Sequence, residues 1–331
     1  MEVSVIEPIG EIIAPFGMNS DQIPTLTDLG MIARPLIHRP EPGESAAIDV
    51  LQSFLEGRGR TYRKGMSSPL SAQTACSRLS PYISLGCISI RQILEYSNRK
   101  SQLVKRNPRA KENLGWTGSL SSFRSRLAWH CHFIQRLEHE VTLDTIAMNP
   151  EIDVHMERLM HDTHFRAWSQ GNTGWPFFDA CMRSLSATGW INFRMRAMLQ
   201  SIASYTLWLP WQLTGLHLAR LFLDYEPGIH WSQVQMQSGV TGINSVRAYS
   251  ISKQSRDQDP EGEFIREWVE ELRHVPTSHI HQPWLMSRDE QNKYGCIIGV
   301  DYPEPIVDEL SLIHISEPTR PERIGYAVLW V

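Results

Sequence analysis

The spacing of apolar residues constrains this chain most. From Ser45 onward they recur at intervals of three and four, the period of an amphipathic helix, first at Ala46, Ile48, Leu51, Phe54 and Leu55. Helical spacing continues to about residue 275, and the alternation typical of strands is scarce. The sequence therefore predicts an all-α domain over 45–308. Six prolines interrupt the segment before it, so 1–44 is predicted to be an irregular linker.

Helix boundaries follow from the same pattern and from capping residues. Pro176 suits the first turn of a helix, and Gly189 suits its left-handed end. Asp259 is predicted to cap a helix whose first turn contains Pro260. Further predicted helices span Thr74–Cys87, Ile90–Tyr96, Phe123–Leu137, Ile191–Trp208 and Leu213–Leu223.

Composition excludes several classes of protein. The 331 residues contain no apolar run long enough to cross a bilayer, and the N-terminus lacks a secretory pattern. Five cysteines are widely spaced without a CxxC pair, which argues against a zinc ribbon and indicates reduced thiols in the cytoplasm. The net charge is −4, so only a local basic stretch over 91–111 could face phosphates, unless it is simply a solvated surface.

No metal site is predicted. His130, Cys131 and His132 are adjacent, and neighbours on a helix point in different directions. His161 and His164 could share a helical face, but two ligands without a third rarely hold an ion.

Six motifs occur in a fixed order along the chain. They read TACSRLSPYISLGCIS (74–89), GNTGWPFFDACMRSLSATGW (171–190), INFRMRAM (191–198), FLDYEPGIHW (222–231), DPEGEFIREWVEELRHVP (259–276) and YPEPIVD (302–308). Together they resemble the helical FAD-binding domain of the photolyase and cryptochrome family. The resemblance implies a light-driven flavoprotein with FAD as its cofactor.

The resemblance also implies residues that bind the FAD pyrophosphate. Hydroxyl, guanidinium and backbone N–H groups are suitable donors for phosphate oxygens. The matching positions are Tyr62, Ser77, Arg78, Leu79 and Ser80. Without the resemblance, this segment would read as an ordinary helix start with a surface arginine.

Arg196 and Asp224 match the family's pair beside the isoalloxazine ring, where a fixed ion pair would stabilise reduced forms of the flavin. Glu226 stands near a second family acid. The loop 224–239 is slightly shorter than the common family form, so Gly228, Ile229 and His230 all remain candidates to approach flavin N5. Other positions that match the cofactor site are Phe123, Arg126, Trp190 and Phe193.

Trp168, Trp211 and Trp231 fall near the family positions that pass electrons to photoexcited FAD. The chemistry needs oxidisable rings in near contact. Packing in a hydrophobic core explains each tryptophan equally well.

Two departures affect the predicted reaction. Dimer photolyases carry a glutamate three residues before a lesion-stacking tryptophan; here Trp129 is present, but Arg126 replaces the acid. The histidines of (6-4) photolyases are missing from 192–197, and only Cys296 lies beyond Cys181, which excludes the family's iron–sulfur cluster.

The resemblance leaves three functions open: a photolyase that acts on pyrimidine photoproducts in DNA, a cryptochrome-like light sensor with a signalling partner, and an FAD-binding fragment with neither activity. We expect a monomer. The α/β antenna domain of full-length family members is not seen, which indicates a short member or a fragment. Residues 309–331 include LSLIHISEPTR, which resembles a translated sequencing adapter, and we interpret this tail as an artefact.

Overall fold

The computed structural model describes residues 22–31, 36–243 and 248–307. Within these ranges there is no strand, only an isolated bridge between Ile298 and Tyr302, and the all-α prediction is confirmed. The predicted adapter-derived tail and most of the linker lie outside the described residues, so the domain boundaries remain predictions. The helices are α1 Glu44–Glu56, α2 Tyr62–Gly65, α3 Pro69–Ala75, α4 Ser80–Ser84, α5 Ile90–Arg106, α6 Trp116–His139, α7 Pro150–Met156, α8 Asp162–Gln170, α9 Pro176–Thr188, α10 Phe193–Ser201, α11 Trp211–Leu221, α12 Pro227–Ser238, α13 Ile251–Gln258, α14 Glu263–Trp268, α15 Thr277–Ile280 and α16 Arg288–Tyr294.

Three apolar clusters hold these helices together. The largest surrounds α9, which is buried on nearly every side and therefore carries apolar residues around its whole circumference. A second cluster joins α1, α4, α5 and α6, and a smaller one joins α11 and α12 to the segment before α7. Helix α12 contacts both α6 and α10. Several predicted site residues lie inside these clusters: Trp168 in the first, Tyr62, Leu79 and Phe123 in the second, and Trp211 and Trp231 in the smallest.

A buried carboxylate ties the second motif to the last. Asp179 accepts hydrogen bonds from the Thr173 amide at 2.9 Å and from the Gly174 amide at 3.1 Å. The Tyr302 hydroxyl donates to the same side chain. Burial raises the pKa of Asp179 to about 6. Gly174 has a φ of +80°, and a Cβ there would lie 2.3 Å from the Glu304 carbonyl oxygen, so only glycine allows this close approach.

The predicted helix Thr74–Cys87 is wrong in its middle. Helix α3 ends at Ala75 and α4 begins at Ser80, with Arg78 between them at a φ of +62°. The carbonyls of Thr74, Cys76 and Ser77 accept hydrogen bonds from the Arg58 guanidinium rather than from helical amides. Pro81 also lacks the N–H that a continuous helix would need.

The predicted helix start at Asp259 is also wrong, although its side chain does cap a helix. Asp259 follows the end of α13, and α14 begins only at Glu263, after Gly262 at a φ of +71°. The Asp259 carboxylate accepts the amides of Phe264 at 3.1 Å and Ile265 at 3.0 Å. The Asp259 carboxylate therefore caps α14 from outside the helix. Pro260 lies in the turn between α13 and α14, where the N–H that proline lacks is not needed.

Four predicted helices differ from the observed ones at their ends. Helix α5 continues to Arg106 and α6 runs from Trp116 to His139, beyond the predicted spans Ile90–Tyr96 and Phe123–Leu137. The predicted span Ile191–Trp208 is α10 followed by a π-helix over Ile202–Thr206. Helix α11 runs from Trp211 to Leu221, two residues before the predicted start and end. In the part of the chain that the structure describes, no helix is both long and apolar enough to cross a membrane.

Candidate functional site

The predicted ion pair forms and is largely buried. The Arg196 guanidinium donates to both carboxylate oxygens of Asp224, at 2.9 and 2.8 Å, and its Nε donates to the Ile191 carbonyl at 2.7 Å. Only 3% of the Asp224 side chain is exposed. Burial alone would raise the pKa of Asp224, but the Arg196 charge and the Ser80 hydroxyl outweigh it and lower the pKa. The carboxylate is therefore charged and fixed in place.

A third charged side chain, Arg78, interacts electrostatically with both members of this pair. Its guanidinium stacks on the Trp190 ring at 3.7 Å. Burial lowers the pKa of Arg78, although the negative charge of Asp224 acts in the opposite direction. No carboxylate forms an ion pair with Arg78 within the described residues. A charged donor held in this way, with Ser80 beside it, is suited to an anionic group.

A cavity of about 370 Å³ borders Arg78 and Trp190. Its other walls come from residues 38–50, from the start of α4 and from Leu223. Ser77, Arg196 and Asp224 do not line it. This cavity is therefore next to the ion pair but is not the predicted cofactor cleft.

Arg58 holds the backbone that carries Ser77 and Arg78. Its guanidinium donates to the carbonyls of Val50 at 3.0 Å, Thr74 at 3.3 Å and Ser77 at 2.8 Å, and also to Cys76. Its Nε donates to the Ser53 hydroxyl at 2.9 Å. The sequence analysis missed this residue, because nothing in GRGRTYRKG distinguishes Arg58 from the arginines that follow it.

A second group of predicted residues surrounds Tyr62. Its ring packs against Phe123 at 6.0 Å, and its hydroxyl is hydrogen-bonded by Arg126. Burial raises the pKa of Tyr62 to about 12, so the phenol is neutral. Arg126 also lies over the Phe193 ring at 5.1 Å. Four predicted site residues are thus brought together by α2, α6 and α10.

Next to this group is an exposed aromatic surface. The side chains of Trp129 and Phe193 are 52% and 50% exposed, and Trp129 stacks on Phe133 with ring centres 5.7 Å apart. His130 Nδ1 is buried without a hydrogen-bond partner, and the charge of Glu226 acts on its ring.

Leu79 and Gly228 have packing roles in this structure. The Leu79 side chain is buried in the core shared by α1, α5 and α6. A Cβ on Gly228 would lie 2.6 Å from the Phe133 carbonyl oxygen, so this glycine lets α12 approach α6 closely. Any contact of either residue with a cofactor stays a prediction.

Two of the three tryptophans that were predicted to form an electron relay are in ring contact. The rings of Trp211 and Trp231 lie 6.2 Å apart, and Trp231 lies 4.9 Å from His230. Trp168 instead contacts the His217 ring at 5.3 Å, and its indole donates to the Leu199 carbonyl. Among the aromatic contacts of the described residues, Trp168 reaches neither of the other two. Its role as a relay stays a prediction.

His230 links the tryptophans to the ion pair. Its Nε2 lies 2.8 Å from the Gly215 carbonyl, and its ring is 5.9 Å from Phe222, whose own ring lies under the Arg196 guanidinium at 4.2 Å. Burial lowers the pKa of His230 to about 4. The imidazole is therefore neutral near pH 7 and donates to Gly215. The sequence analysis named this residue only as one of three candidates near flavin N5.

We expect His230→Gln to reduce the acid sensitivity of the fold. Because burial lowers the folded-state pKa from 6.5 to about 4, the unfolded chain binds this proton more readily. The contribution of neutral His230 to the unfolding free energy is complete above pH 6.5 and is lost as the pH falls toward 4. Between pH 8 and pH 5, the unfolding free energy of the wild type should fall by about 2 kcal/mol more than that of the variant. Urea titrations at both pH values measure this, and equal losses would contradict it.

The guanidinium–carboxylate couple and Arg78 beside it are embedded in a helical domain of the photolyase and cryptochrome type. The model of the FAD binding domain of DNA photolyase matches residues 123–312. The chain therefore belongs to this family, and FAD is its cofactor.

Curated relatives and solved structures agree with this assignment. The chain is 30% identical to a cryptochrome DASH of Natronomonas pharaonis over 89% of its length, and it covers 61% of that protein. It is 34% identical to a deoxyribodipyrimidine photo-lyase of Alkalihalophilus pseudofirmus over 80% of its length, and it covers 53% of that protein. The crystal structure of a Synechocystis cryptochrome aligns with a TM-score of 0.80 and 26% identity, over 92% of this chain and 61% of that one. The chain thus spans little more than half the length of the relatives it matches.

The donors present fit such a cofactor. A pyrophosphate needs charge-assisted donors, and Arg78 offers one next to Asp224, to which the Ser80 hydroxyl donates. The unpartnered His130 Nδ1 is a further buried polar atom that a ligand could satisfy. No group of three or more metal-ligating side chains occurs in the described ranges.

Proposed function

We propose that this chain is the FAD-carrying core of a light-driven flavoprotein of the photolyase type, which acts on pyrimidine photoproducts in UV-damaged DNA by photoinduced electron transfer. One observation carries the proposal. Aromatic rings in mutual contact lead from Trp211 through Trp231 and His230 to the residues around the Arg196–Asp224 pair. These ring contacts connect an electron donor, Trp211, to the proposed position of the flavin.

Each group has a role that follows from its chemistry. Bound FAD supplies blue-light absorption and one-electron chemistry. Ser77, Arg78 and Ser80 hold its pyrophosphate through charge-assisted hydrogen bonds. Arg196, fixed by Asp224, places positive charge beside the ring system and stabilises added negative charge. Trp231 and Trp211 donate electrons.

The exposed aromatic surface is suited to a flipped-out base. Trp129 and Phe193 present ring faces to solvent, and Arg126 lies over one of them. Stacking on aromatic rings beside a cation is a common way to hold single-stranded nucleic acid. The basic stretch on α5 contributes less, because Arg99 pairs with Glu95 and Lys100 lies over the Trp116 ring at 4.6 Å.

A cryptochrome-like sensor is the second candidate. Arg126 takes the place of the acid that dimer photolyases carry, and its exposed side chain hydrogen-bonds to Tyr62. In that case photoreduction changes the binding of a signalling partner instead of repairing DNA. All five cysteines are free thiols, which supports a cytoplasmic location for either function.

A repair assay separates the two functions. FAD-loaded protein is illuminated with blue light in the presence of single strands that contain a cyclobutane dimer or a (6-4) product. We expect light-dependent repair of one lesion, and we expect Arg126→Glu to raise the dimer rate at least about tenfold by restoring a general acid at that position.

Arg124→Glu is the matched control for this assay. It adds the same charge to the same helix, at a residue whose guanidinium bonds Asn98 on α5, so dimer repair should not increase. Repair of neither lesion by flavin-loaded wild type and Arg126→Glu protein would favour the sensor and contradict the photolyase proposal.

A further inference from the structure

The three candidate relay tryptophans differ in what accepts their indole N–H. Trp168 donates to the Leu199 backbone carbonyl at 3.0 Å, and Trp231 donates to the Tyr225 hydroxyl at 3.1 Å. Trp211 donates to a carboxylate, Asp153 Oδ1, at 3.0 Å. A carbonyl or a phenol is a very weak base, whereas a carboxylate can accept and keep a proton. Only Trp211 therefore has a proton acceptor built against its ring nitrogen.

Asp153 is held in position by its helix. Asn149 caps α7, with its side-chain oxygen accepting the Ile152 amide at 3.1 Å, and Pro150 forms the first turn. Asp153 lies one residue further along and faces the start of α11. Its carboxylate is placed by a capped helix rather than by a loose surface loop.

The carboxylate borders a cavity that is open to water. Asp153 lines a cavity of about 320 Å³ together with Trp211, Val154 and Glu157. Val154 is 68% exposed, so water reaches the cavity rim. No cation forms an ion pair with Asp153 in the described part of the chain. The nearby Arg158 guanidinium instead donates to the carbonyls of Ser204 at 3.0 Å and Ser238 at 2.6 Å.

We infer that Asp153 is the proton acceptor for oxidised Trp211. The inference rests on the proposed function, because photoexcited flavin is the oxidant that removes one electron from Trp211 by way of Trp231. The indole N–H proton then moves to Asp153 Oδ1. The products are a neutral tryptophan radical and a carboxylic acid, which releases its proton to water in the cavity.

This transfer stabilises the separated charges. A cation radical beside Trp231 can recover its electron directly, whereas a neutral radical must recover a proton with it. Trp211 is therefore the point at which the positive charge is trapped, and neither Trp168 nor Trp231 can replace it in that role.

The test is flash photolysis of the FAD-loaded protein, with the tryptophan radical followed by its absorption spectrum. In the wild type we expect a neutral radical, and we expect its formation to slow at least about twofold in deuterated water, because a proton moves in that step. Asp153→Asn keeps an oxygen acceptor for the N–H but cannot take the proton. The tryptophan radical should then remain a cation, and its recombination with the flavin should be at least about tenfold faster.

Two control variants make the result specific. Glu157→Gln removes one negative charge from the same cavity without touching the indole, so it should behave as wild type. Trp211→Phe should eliminate the neutral radical signal. If Asp153→Asn gives the same neutral radical and the same isotope effect as wild type, the inference is wrong while light-driven electron transfer stands. If flavin-loaded wild type shows no tryptophan oxidation at all, the proposed function fails first.

Discussion

Replacing Arg196 with methionine is expected to abolish FAD binding and to lower the unfolding free energy of the apoprotein by about 3–5 kcal/mol. The reason is the Asp224 side chain, which is 3% exposed and takes two charge-assisted hydrogen bonds from this guanidinium. Without Arg196 its charge is buried and uncompensated. Chemical denaturation measures the stability, and flavin absorbance after dialysis measures the binding.

A double variant separates the structural role of the pair from its cofactor role. In Arg196→Met with Asp224→Leu, both charges are replaced by apolar groups, and most of the lost stability should return. FAD binding should not return, because the cation beside the ring system is still missing. If the stable double variant binds FAD as tightly as wild type, this ion pair is purely structural and its assignment to the cofactor site is wrong.

Replacing Arg58 with methionine is expected to have the second largest effect, although Arg58 has no assigned contact with FAD. Its guanidinium is the shared donor for four backbone carbonyls, two of them in the segment between α3 and α4 and a third in the last turn of α3. Hydrogen bonds from a charged donor contribute about 1.5–3 kcal/mol each, less where water can replace them. We expect a stability loss of about 2–4 kcal/mol and at least about tenfold weaker FAD binding.

Arg60→Met is the matched control, because Arg60 lies in the same segment with an exposed side chain. It should change the stability by less than about 0.5 kcal/mol. Equal effects of the two substitutions on FAD affinity, measured by titration of the apoprotein, would show that Arg58 does not organise the site.

The sequence predicted the fold class and the ion pair of the candidate site. Arg196 and Asp224 are 28 positions apart, so helical periodicity cannot predict that they pair. The resemblance to a known family predicted this pair. Tyr62, Phe123 and Arg126 were assigned to the cofactor site by the same resemblance, but they lie outside the six motifs and their mutual contact was not predicted. Arg196 and Asp224 could be paired because each stands in a motif of the family.

The break at 76–79 and the role of Arg58 could not be predicted. Apolar spacing of three and four runs through the break, from Ala75 to Leu79 to Tyr82, so the periodic signal is the same with or without it. Arg58 donates its hydrogen bonds to carbonyls 16 to 19 positions away, and the neighbouring sequence does not distinguish it from Arg60. Only the tertiary structure supplies these acceptors.

The hydrogen-bond partners of the tryptophans could not be predicted from the sequence either. Asp153 precedes Trp211 by 58 positions and belongs to a short helix that the apolar pattern did not mark. The indole acceptors of Trp168 and Trp231 also come from the tertiary structure. The three tryptophans therefore differ in the folded chain in the group that accepts their indole N–H.

A crystal structure of the FAD-loaded protein would locate the cofactor. We expect pyrophosphate oxygens within hydrogen-bonding distance of Ser77, Arg78 or Ser80, and the flavin ring system beside Arg196 and Asp224. FAD bound instead in the cavity of about 370 Å³ between Trp190 and residues 38–50, or a folded helical protein that takes up no FAD, would contradict this expectation.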